Sequence, residues 1–309
     1  MDVAQDWATW LLGPSLLSIF IGTIVALSLP LLLHLYIYRS RTSTNLPTFL
    51  LVGPGGSGKT ALATLLEQGK HAPTHTSQSP LTVEVSLPVS TATASSRYRS
   101  ANDPTSRTHK RLLVVDTPGH GKLRHHALDA ITNPAHLKGI IFVVDAANLS
   151  SSSSGESGFD GLRETAEYLH DMLLVLQRRS TRARTSKAPP LMPVLIAANK
   201  MDLFTALPAG VVQRTLEQEI GKVRDFRSKG LLDSGVSMGG SGFGAGEEDE
   251  GQERDWLGGE GADGPFRFKQ LEELNVHVDL CGGHVLSEDG GDGRGSDVQE
   301  WWSWIGDRM

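Results

Sequence analysis

The chain has 309 residues, enough for one large domain or two small ones, and 39% of them are hydrophobic, as in a globular protein. Its formal net charge of −6 argues against direct binding of nucleic acid, because proteins that bind it carry a basic domain or stripe. The single cysteine, Cys281, excludes an internal disulfide.

The first predicted element is an apolar segment, residues 16–38, that contains no Asp, Glu, Lys or Arg. About 20 apolar residues cross a hydrocarbon core of about 30 Å as one helix. A cleaved signal peptide is the alternative, but it would begin with a basic region, and residues 1–15 contain no Lys or Arg. Arg39 and Arg41 lie directly after the segment, and the positive-inside rule then places the C-terminal bulk of the chain in the cytosol. The expected parts are a short tail (1–15), a transmembrane helix (16–38), a linker (39–47) and a cytosolic domain (48–309).

Strand and helix patterns alternate along the cytosolic domain. The predicted strands are 48–52, 81–89, 111–116, 139–145, 193–198 and 276–280, and the predicted helices are 59–66, 162–177, 211–226 and 298–305. This alternation predicts an α/β domain with a mostly parallel sheet between helices. A stretch rich in glycine and acidic residues, 229–264, has too few apolar residues to order itself and is expected to be a disordered surface insertion.

A glycine-rich loop follows the first strand and opens the first helix. Its sequence, Gly53-Pro54-Gly55-Gly56-Ser57-Gly58-Lys59-Thr60, fits the phosphate-binding pattern G-x-x-x-x-G-K-[ST]. Glycines let the backbone turn tightly, so that several N–H groups face phosphate oxygens, and the helix N-terminus adds partial positive charge. Lys59 would reach the outer phosphates, and the hydroxyl of Thr60 would bind Mg²⁺.

A second motif, DTPGH, occupies residues 116–120 at the end of the strand 111–116. A carboxylate in that place lies beside the phosphate loop, so Asp116 can hold Mg²⁺, often through a water. Gly119 can offer its backbone N–H to a γ-phosphate and act as the hinge of a segment that the phosphate orders.

A third motif, Asn199-Lys200-Met201-Asp202, follows the strand 193–198 and selects the base. The carboxylate of Asp202 can accept hydrogen bonds from N1–H and the 2-amino group of guanine, whereas adenine offers neither donor there. Asn199 would hold the loop, and the stem of Lys200 would pack along the base. The three motifs together predict a site for GTP or GDP with Mg²⁺.

These residues, GPGGSGKT, DTPGH and NKMD, make the chain resemble the Ras-like small GTPases over most of residues 48–309. With the apolar segment upstream, the chain resembles the beta subunits of the signal recognition particle receptor, an Arf- and Sar-like family. The terminal DVQEWWSWIG, residues 297–306, is similar to the closing helix of that family. The resemblance implies a single-pass protein of the endoplasmic reticulum membrane with a lumenal tail and a cytosolic GTPase domain. It implies the receptor alpha subunit as partner, with the ribosome or the translocon as a further partner.

The resemblance also assigns two further parts of the site. Residues 73–79, PTHTSQS, lie where such GTPases carry their first switch, so Thr76 would complete the Mg²⁺ site, with Thr74 and Ser77 as alternatives. The loop behind the base usually reads S-A-K, and the candidate here is Cys281-Gly282-Gly283, whose backbone N–H groups would reach the guanine oxygen.

His120 stands where Ras-like enzymes usually carry the glutamine that orients the attacking water. A histidine can orient a water and exchange a proton near neutral pH, so His120 is the candidate catalytic residue. We expect slow or partner-dependent hydrolysis, with GTP acting mainly as an assembly switch. The alternative is an Arf/Sar-type or translational-type GTPase whose main activity is turnover of GTP.

Overall fold

The computed structural model describes residues 19–20, 23–30, 46–70, 72–88, 110–132, 136–150, 156–182, 191–237, 257–258, 264–285 and 297–309. The chain divides into two units, Met1–Asn45 and Leu46–Met309. In the first unit, residues 19–20 and 23–30 are helical, and the rest of the predicted span 16–38 lies outside the described residues, as do the tail 1–15 and residues 39–45 of the linker. No helix in the described part of the chain has both the length and the apolar character needed to cross a membrane.

The second unit contains a six-stranded sheet between helices, which confirms the predicted α/β class. In the described residues the strands are β1 (Thr48–Val52), β2 (Leu81–Ser86), β3 (Arg111–Asp116), β4 (Leu137–Asp145), β5 (Met192–Asn199) and β6 (Val276–Gly282). Their order is β2-β3-β1-β4-β5-β6, and every pairing is parallel except that of β2 with β3. The helices are α1 (Lys59–Gln68), α2 (His125–Thr132), α3 (Glu156–Arg182), α4 (Ala209–Ser237) and α5 (Gln299–Asp307).

The core lies on both faces of the sheet because the central strands are apolar at successive positions. Side chains alternate between faces along a strand, so Leu50 packs in a cluster with α3 and α4, whereas Phe49 packs on the other face with α1 and α5. All eight residues of β5 are buried. A strand covered on both faces is a near-continuous apolar run, as the sequence of β5 is.

The carboxyl ends of the parallel strands meet at one edge of the sheet. The last residues of β1, β3, β4, β5 and β6 are, in that order, Val52, Asp116, Asp145, Asn199 and Gly282. In open α/β sheets, ligands bind at this edge. The N-terminus of α1 reaches the same edge, since the helix follows β1 after only six residues, Gly53 to Gly58.

Several helices differ in extent from the sequence patterns. The helix α3 begins six residues before the predicted Leu162, and α2 was not among the predicted elements. The helix α4 continues to Ser237, into the stretch 229–264 where an insertion was expected, and Leu257 is 1% exposed and belongs to the core. Residues 238–256 and 259–263 of that stretch lie outside the described residues.

Candidate functional site

The phosphate loop turns sharply between β1 and α1, and its backbone conformation favours glycine at three of its positions. Gly53 and Gly58 have φ values of 146° and 95°, a region that side chains rarely adopt. A Cβ at Gly53 would collide with the carbonyl oxygen of Val143, and one at Gly58 would collide with the Asn199 side chain. Gly56, with a φ of 75°, shares this backbone region but has open space beside it, as Gly55 has. The buried Ser57 donates a hydrogen bond to the oxygen of Pro54 at 2.9 Å.

Lys59 is folded back over this loop. Its ammonium donates hydrogen bonds to the carbonyl oxygens of Gly53 at 2.9 Å and Pro54 at 2.8 Å, and the residue is only 5% exposed. Burial lowers the pKa of Lys59 to about 8, the charge of Asp116 opposes this change, and the charge of Arg124 adds to it. A buried ammonium whose charged form is disfavoured in this way is stabilised by an anion placed beside it.

Asp116 and Thr60 form the polar pair next to Lys59. The hydroxyl of Thr60 donates to Oδ2 of Asp116 at 2.8 Å, and Asp116 is fully buried. Its other oxygen, Oδ1, has no hydrogen-bond partner among the described residues. Burial raises the pKa of Asp116, while the Thr60 hydrogen bond, the charge of Lys59 and the Ser77 side chain lower it in part. A carboxylate oxygen and a hydroxyl in this arrangement suit a hard cation such as Mg²⁺.

The segment that carries the predicted first switch approaches this pair through Ser77. Ser77 is half-buried and close enough to Asp116 to affect its pKa, although no hydrogen bond of ordinary length joins the two. Thr74 and Thr76 are exposed. Of the three hydroxyls considered from the sequence, that of Ser77 is therefore the one that acts on the carboxylate here.

The DTPGH motif starts from a fixed point on β1. Thr117 donates from both its backbone N–H and its hydroxyl to the oxygen of Leu51, at 3.2 and 2.6 Å. Gly119 packs so closely on the phosphate loop that an added Cβ would meet the Lys59 ammonium and lie 2.7 Å from the oxygen of Gly53. His120 is exposed, and its Nδ1 accepts a hydrogen bond from the N–H of Lys122 at 3.3 Å. His120 thus lies at the rim of the site.

Asn199 joins three parts of the site that are distant in sequence. Its Nδ2 donates to the oxygen of Ser57 in the phosphate loop at 2.8 Å, and its Oδ1 accepts from the N–H of Val285 at 3.1 Å. The residue is 3% exposed. The amide therefore connects the phosphate loop to the segment after β6, with the NKMD loop between them.

Lys200 and Asp202 follow directly and are more accessible. Lys200 has a φ of 61°, and its ammonium donates to Oδ2 of Asp145 at 2.6 Å. The other oxygen of Asp145 accepts from the N–H groups of Ala147 and Asn148. Asp202 is exposed on a turn, where its carboxylate is open to a ligand.

The loop behind the predicted base position lies against the NKMD loop. Gly282 ends β6, and a Cβ there would collide with the sulfur of Met201. Gly283 donates its N–H to Ala198 at 2.9 Å and accepts from the N–H of Met201 at 3.2 Å. Cys281 is half-buried, and its oxygen accepts from the indole N–H of Trp301 at 3.3 Å. The two loops are thus held together by their own backbones.

The structure brings the residues of all three motifs to one edge of the sheet, and it adds Asp145 to them. Asp145 holds Lys200 but was not singled out from the sequence, although it ends the buried run GIIFVVD as Asp116 ends RLLVVD. The same reasoning about carboxylates at strand ends would have found it. In the described part of the chain, Thr76 and His120 are exposed, and neither is hydrogen-bonded to the half-buried Thr60 or the buried Asp116.

Comparison with known proteins identifies the family. The model of the signal recognition particle receptor beta subunit family matches residues 44–276. The beta subunit of the signal recognition particle receptor from Saccharomyces cerevisiae is 33% identical over 186 residues, which are 60% of this chain and 61% of that protein. The chain thus spans about three fifths of the length of this relative.

Two solved structures of the receptor protein SRb from Chaetomium thermophilum are similar to this chain. The one described as SRb-GDP-Mg is 36% identical, with a TM-score of 0.58, covering 85% of this chain and 99% of that one. The one described as an SRb-GTP/SRX complex is 35% identical, with a TM-score of 0.57 and the same coverage. With the family match over more than half of its length, the chain belongs to the beta subunit family of the signal recognition particle receptor.

Proposed function

We propose that the chain is the membrane-anchored GTP-binding subunit of a signal recognition particle receptor. It binds GTP with Mg²⁺, and the GTP-bound form recruits the receptor alpha subunit for co-translational protein targeting to the endoplasmic reticulum. Support comes from membership of the family and from the related C. thermophilum structures, which are described with GDP and Mg, and with GTP and SRX.

The observation that carries this proposal is the pair of hydrogen bonds made by Asn199. They tie the phosphate loop to the loop that bears Asp202, so a nucleotide held at one end has its base at the other. Asp202 then accepts from guanine, Lys200 packs along the ring, and backbone N–H groups at Cys281 and Gly282 face the guanine oxygen. An ATP bound in the same place would leave Asp202 without donors, a failure that can discriminate by about 10⁴.

The phosphate end uses the residues around Lys59. Backbone N–H groups of the phosphate loop bind phosphate oxygens, the Lys59 ammonium neutralises the outer phosphates, and Gly119 donates to the γ-phosphate. The nucleotide-binding residues proposed here are Gly53, Gly55, Gly56, Ser57, Gly58, Lys59, Thr60 and Gly119.

The metal site consists of Thr60, Asp116 and a hydroxyl of the first switch, with Thr76 as the residue proposed from the family resemblance. The unpartnered Oδ1 of Asp116 fits a metal-bound water, so these residues suit Mg²⁺. Mg²⁺ held by these residues would neutralise negative charge on the phosphates. Because Thr76 is exposed, its closure on the metal requires the segment 73–79 to move.

Hydrolysis depends on His120, which we place as a weak or partner-dependent catalyst. Its Nδ1 is engaged by the N–H of Lys122 within its own loop, and the exposed ring has no further hydrogen bond to described residues. Nothing therefore fixes it over a water at the γ-phosphate until a partner or the nucleotide orders the loop. The alternative, a GTPase of the Arf/Sar or translational type with turnover as its main activity, requires His120 to be positioned unaided.

The anchor in this proposal is the apolar segment 16–38, with residues 1–15 in the lumen and the GTPase domain in the cytosol. The ribosome or the translocon are further partners implied by the family, and direct binding of nucleic acid is not expected. Carbonate extraction of membranes tests the anchor: a spanning protein stays in the pellet, whereas a coat GTPase held by an amphipathic N-terminus is released.

The first experiment is to purify the chain without added nucleotide, denature it, and identify what it releases by chromatography. Release of GTP supports tight binding with slow hydrolysis, and release of GDP favours the turnover alternative. Titration with GTP, GDP and ATP in Mg²⁺ then tests the base: equal binding of ATP would overturn the proposal. Capture of the alpha subunit by the GTP-loaded form, and much less by the GDP-loaded form, is the expected readout of assembly.

A further inference from the structure

Arg124 is a charged residue beside the site that the proposed function does not use. It lies four residues after His120 and directly precedes α2. Its guanidinium donates to Oε1 of Glu164 on α3 at 2.5 Å and lies over the ring of Tyr168, with 4.5 Å from Cζ to the ring centroid. The Arg124 side chain is only 17% exposed, so this is not a solvated surface cation.

Tyr168 is a rigid support for this guanidinium. It is fully buried and packs edge-on against Phe142 of β4, with 5.7 Å between ring centroids. Nε of Arg124 and the Tyr168 hydroxyl are both buried without a hydrogen bond of ordinary length among the described residues, although the Thr117 side chain is close enough to affect the pKa of Tyr168. Polar groups buried in this way need an explanation other than stability, because leaving them unpaired is unfavourable.

The position of Arg124 along the chain indicates that it holds one end of the loop that carries Gly119 and His120. Thr117 fixes the start of the DTPGH loop through its two hydrogen bonds to Leu51. Arg124 fixes the other end through α3, and its carbonyl accepts from the N–H groups of Ala127 and Leu128 at the start of α2. The residues between these two anchors, 118–123, include Gly119 and His120. How closely the loop lies on the phosphates thus depends on both anchors.

We infer that Arg124 is a positioning residue for the γ-phosphate. Held against α3 by Glu164 and Tyr168, it keeps the loop with Gly119 and His120 close to the phosphate loop, where Gly119 can donate to the γ-phosphate that GDP lacks. This inference rests on the proposed function, because it concerns how the same site distinguishes its two nucleotides.

The test compares dissociation constants of the full-length protein, in detergent, for GDP and for the slowly hydrolysed analogue GTPγS. Arg124→Met keeps the apolar stem and removes the charge and the ion pair. It is expected to weaken GTPγS by about tenfold, within the usual range for coupled sites, and to leave the GDP constant nearly unchanged. Glu164→Gln keeps the cation and loosens its anchor, so a smaller change in the same direction is expected.

Arg163→Met is the matched control, because Arg163 precedes Glu164 on α3 and pairs with Glu167 on the exposed side of the helix. It removes the same charge and should change neither constant. Normal GDP binding by a variant also shows that it is folded. If Arg124→Met does not fold, Arg124→Lys, which keeps the charge but not the planar contact with Tyr168, takes its place, with a partial loss of GTPγS binding expected.

Equal weakening of both nucleotides, or an equal effect of Arg163→Met, would overturn the inference and leave the proposed function intact. Unchanged binding of GTPγS by Arg124→Met would do the same. If the unmodified protein binds neither nucleotide, both the proposed function and the inference that rests on it are wrong.

Discussion

Replacement of Asn199 by alanine should destabilise the domain even when no nucleotide is present. The amide bonds Ser57 and Val285, and all three residues are at most 3% exposed. Alanine leaves the oxygen of Ser57 and the N–H of Val285 buried and unpaired, at about 1–3 kcal/mol for each group, or about 2–6 kcal/mol together. That is a large part of the about 5–15 kcal/mol by which domains are stable.

Urea unfolding of residues 46–309, which form one compact unit, measures this cost. The buried Trp301 and Trp304 report on the core by fluorescence. Asn199→Ala should lower the midpoint with an unchanged slope, since only stability and not the exposed surface differs. Asp202→Ala is the control, because Asp202 lies exposed in the same loop and its loss should leave the nucleotide-free midpoint unchanged. If Asn199→Ala matched the unmodified protein without nucleotide, Asn199 would act only through the base and the reasoning would be refuted.

Three further predictions concern the Lys59 ammonium, the close packing of Gly119 and the contact of Asp202 with the base. Because the pKa of Lys59 is about 8 in the free protein and bound phosphates would raise it, binding takes up a proton above pH 8. Titrations should therefore show affinity falling by up to about tenfold per pH unit above that value and not below it, and Lys59→Arg should abolish this dependence. Gly119→Ala should cost about 1–3 kcal/mol in a melting experiment because its methyl meets backbone of Gly53, whereas Gly121→Ala, with nothing within 4 Å, should match the unmodified protein. Asp202→Asn should weaken GTP and favour XTP, whose xanthine has a carbonyl in place of the 2-amino group; unchanged preference for GTP would argue that Asp202 does not contact the base.

The sheet was predictable because its strands are short apolar runs with clear ends. The strands at 48–52 and 111–116 were predicted with their observed bounds. The motifs were predictable for the same reason, since each lies just after a strand end and parallel strands gather their ends at one edge. The sequence did not show which hydroxyl of the segment 73–79 would bind the metal, because the segment has no apolar periodicity that fixes its register. That the structure leaves Thr76 exposed and Ser77 half-buried reflects packing that no local pattern encodes.

Helix ends were less predictable than strands. The helix α4 runs on to Ser237 through a region that reads as polar and glycine-rich. The contacts of Arg124 could not be predicted from the sequence around it either, because Glu164 and Tyr168 lie 40 or more residues away. Ion pairs of this kind depend on how two helices pack, which periodicity alone does not determine.

The two hydrogen bonds of Asn199 also set an order of events during synthesis. They join residues separated by 142 and 86 positions. Asn199 can therefore accept the hydrogen bond from Val285 only after residue 285 has been added to the chain. Contacts of such long range form late, because the chain between them must first lose much of its conformational freedom. At about 5–20 residues per second, the ribosome needs several seconds to add the stretch from Asn199 to Val285. A nascent chain that has made its phosphate loop therefore lacks this support for the Asn199 side chain until Val285 has been added and has reached it.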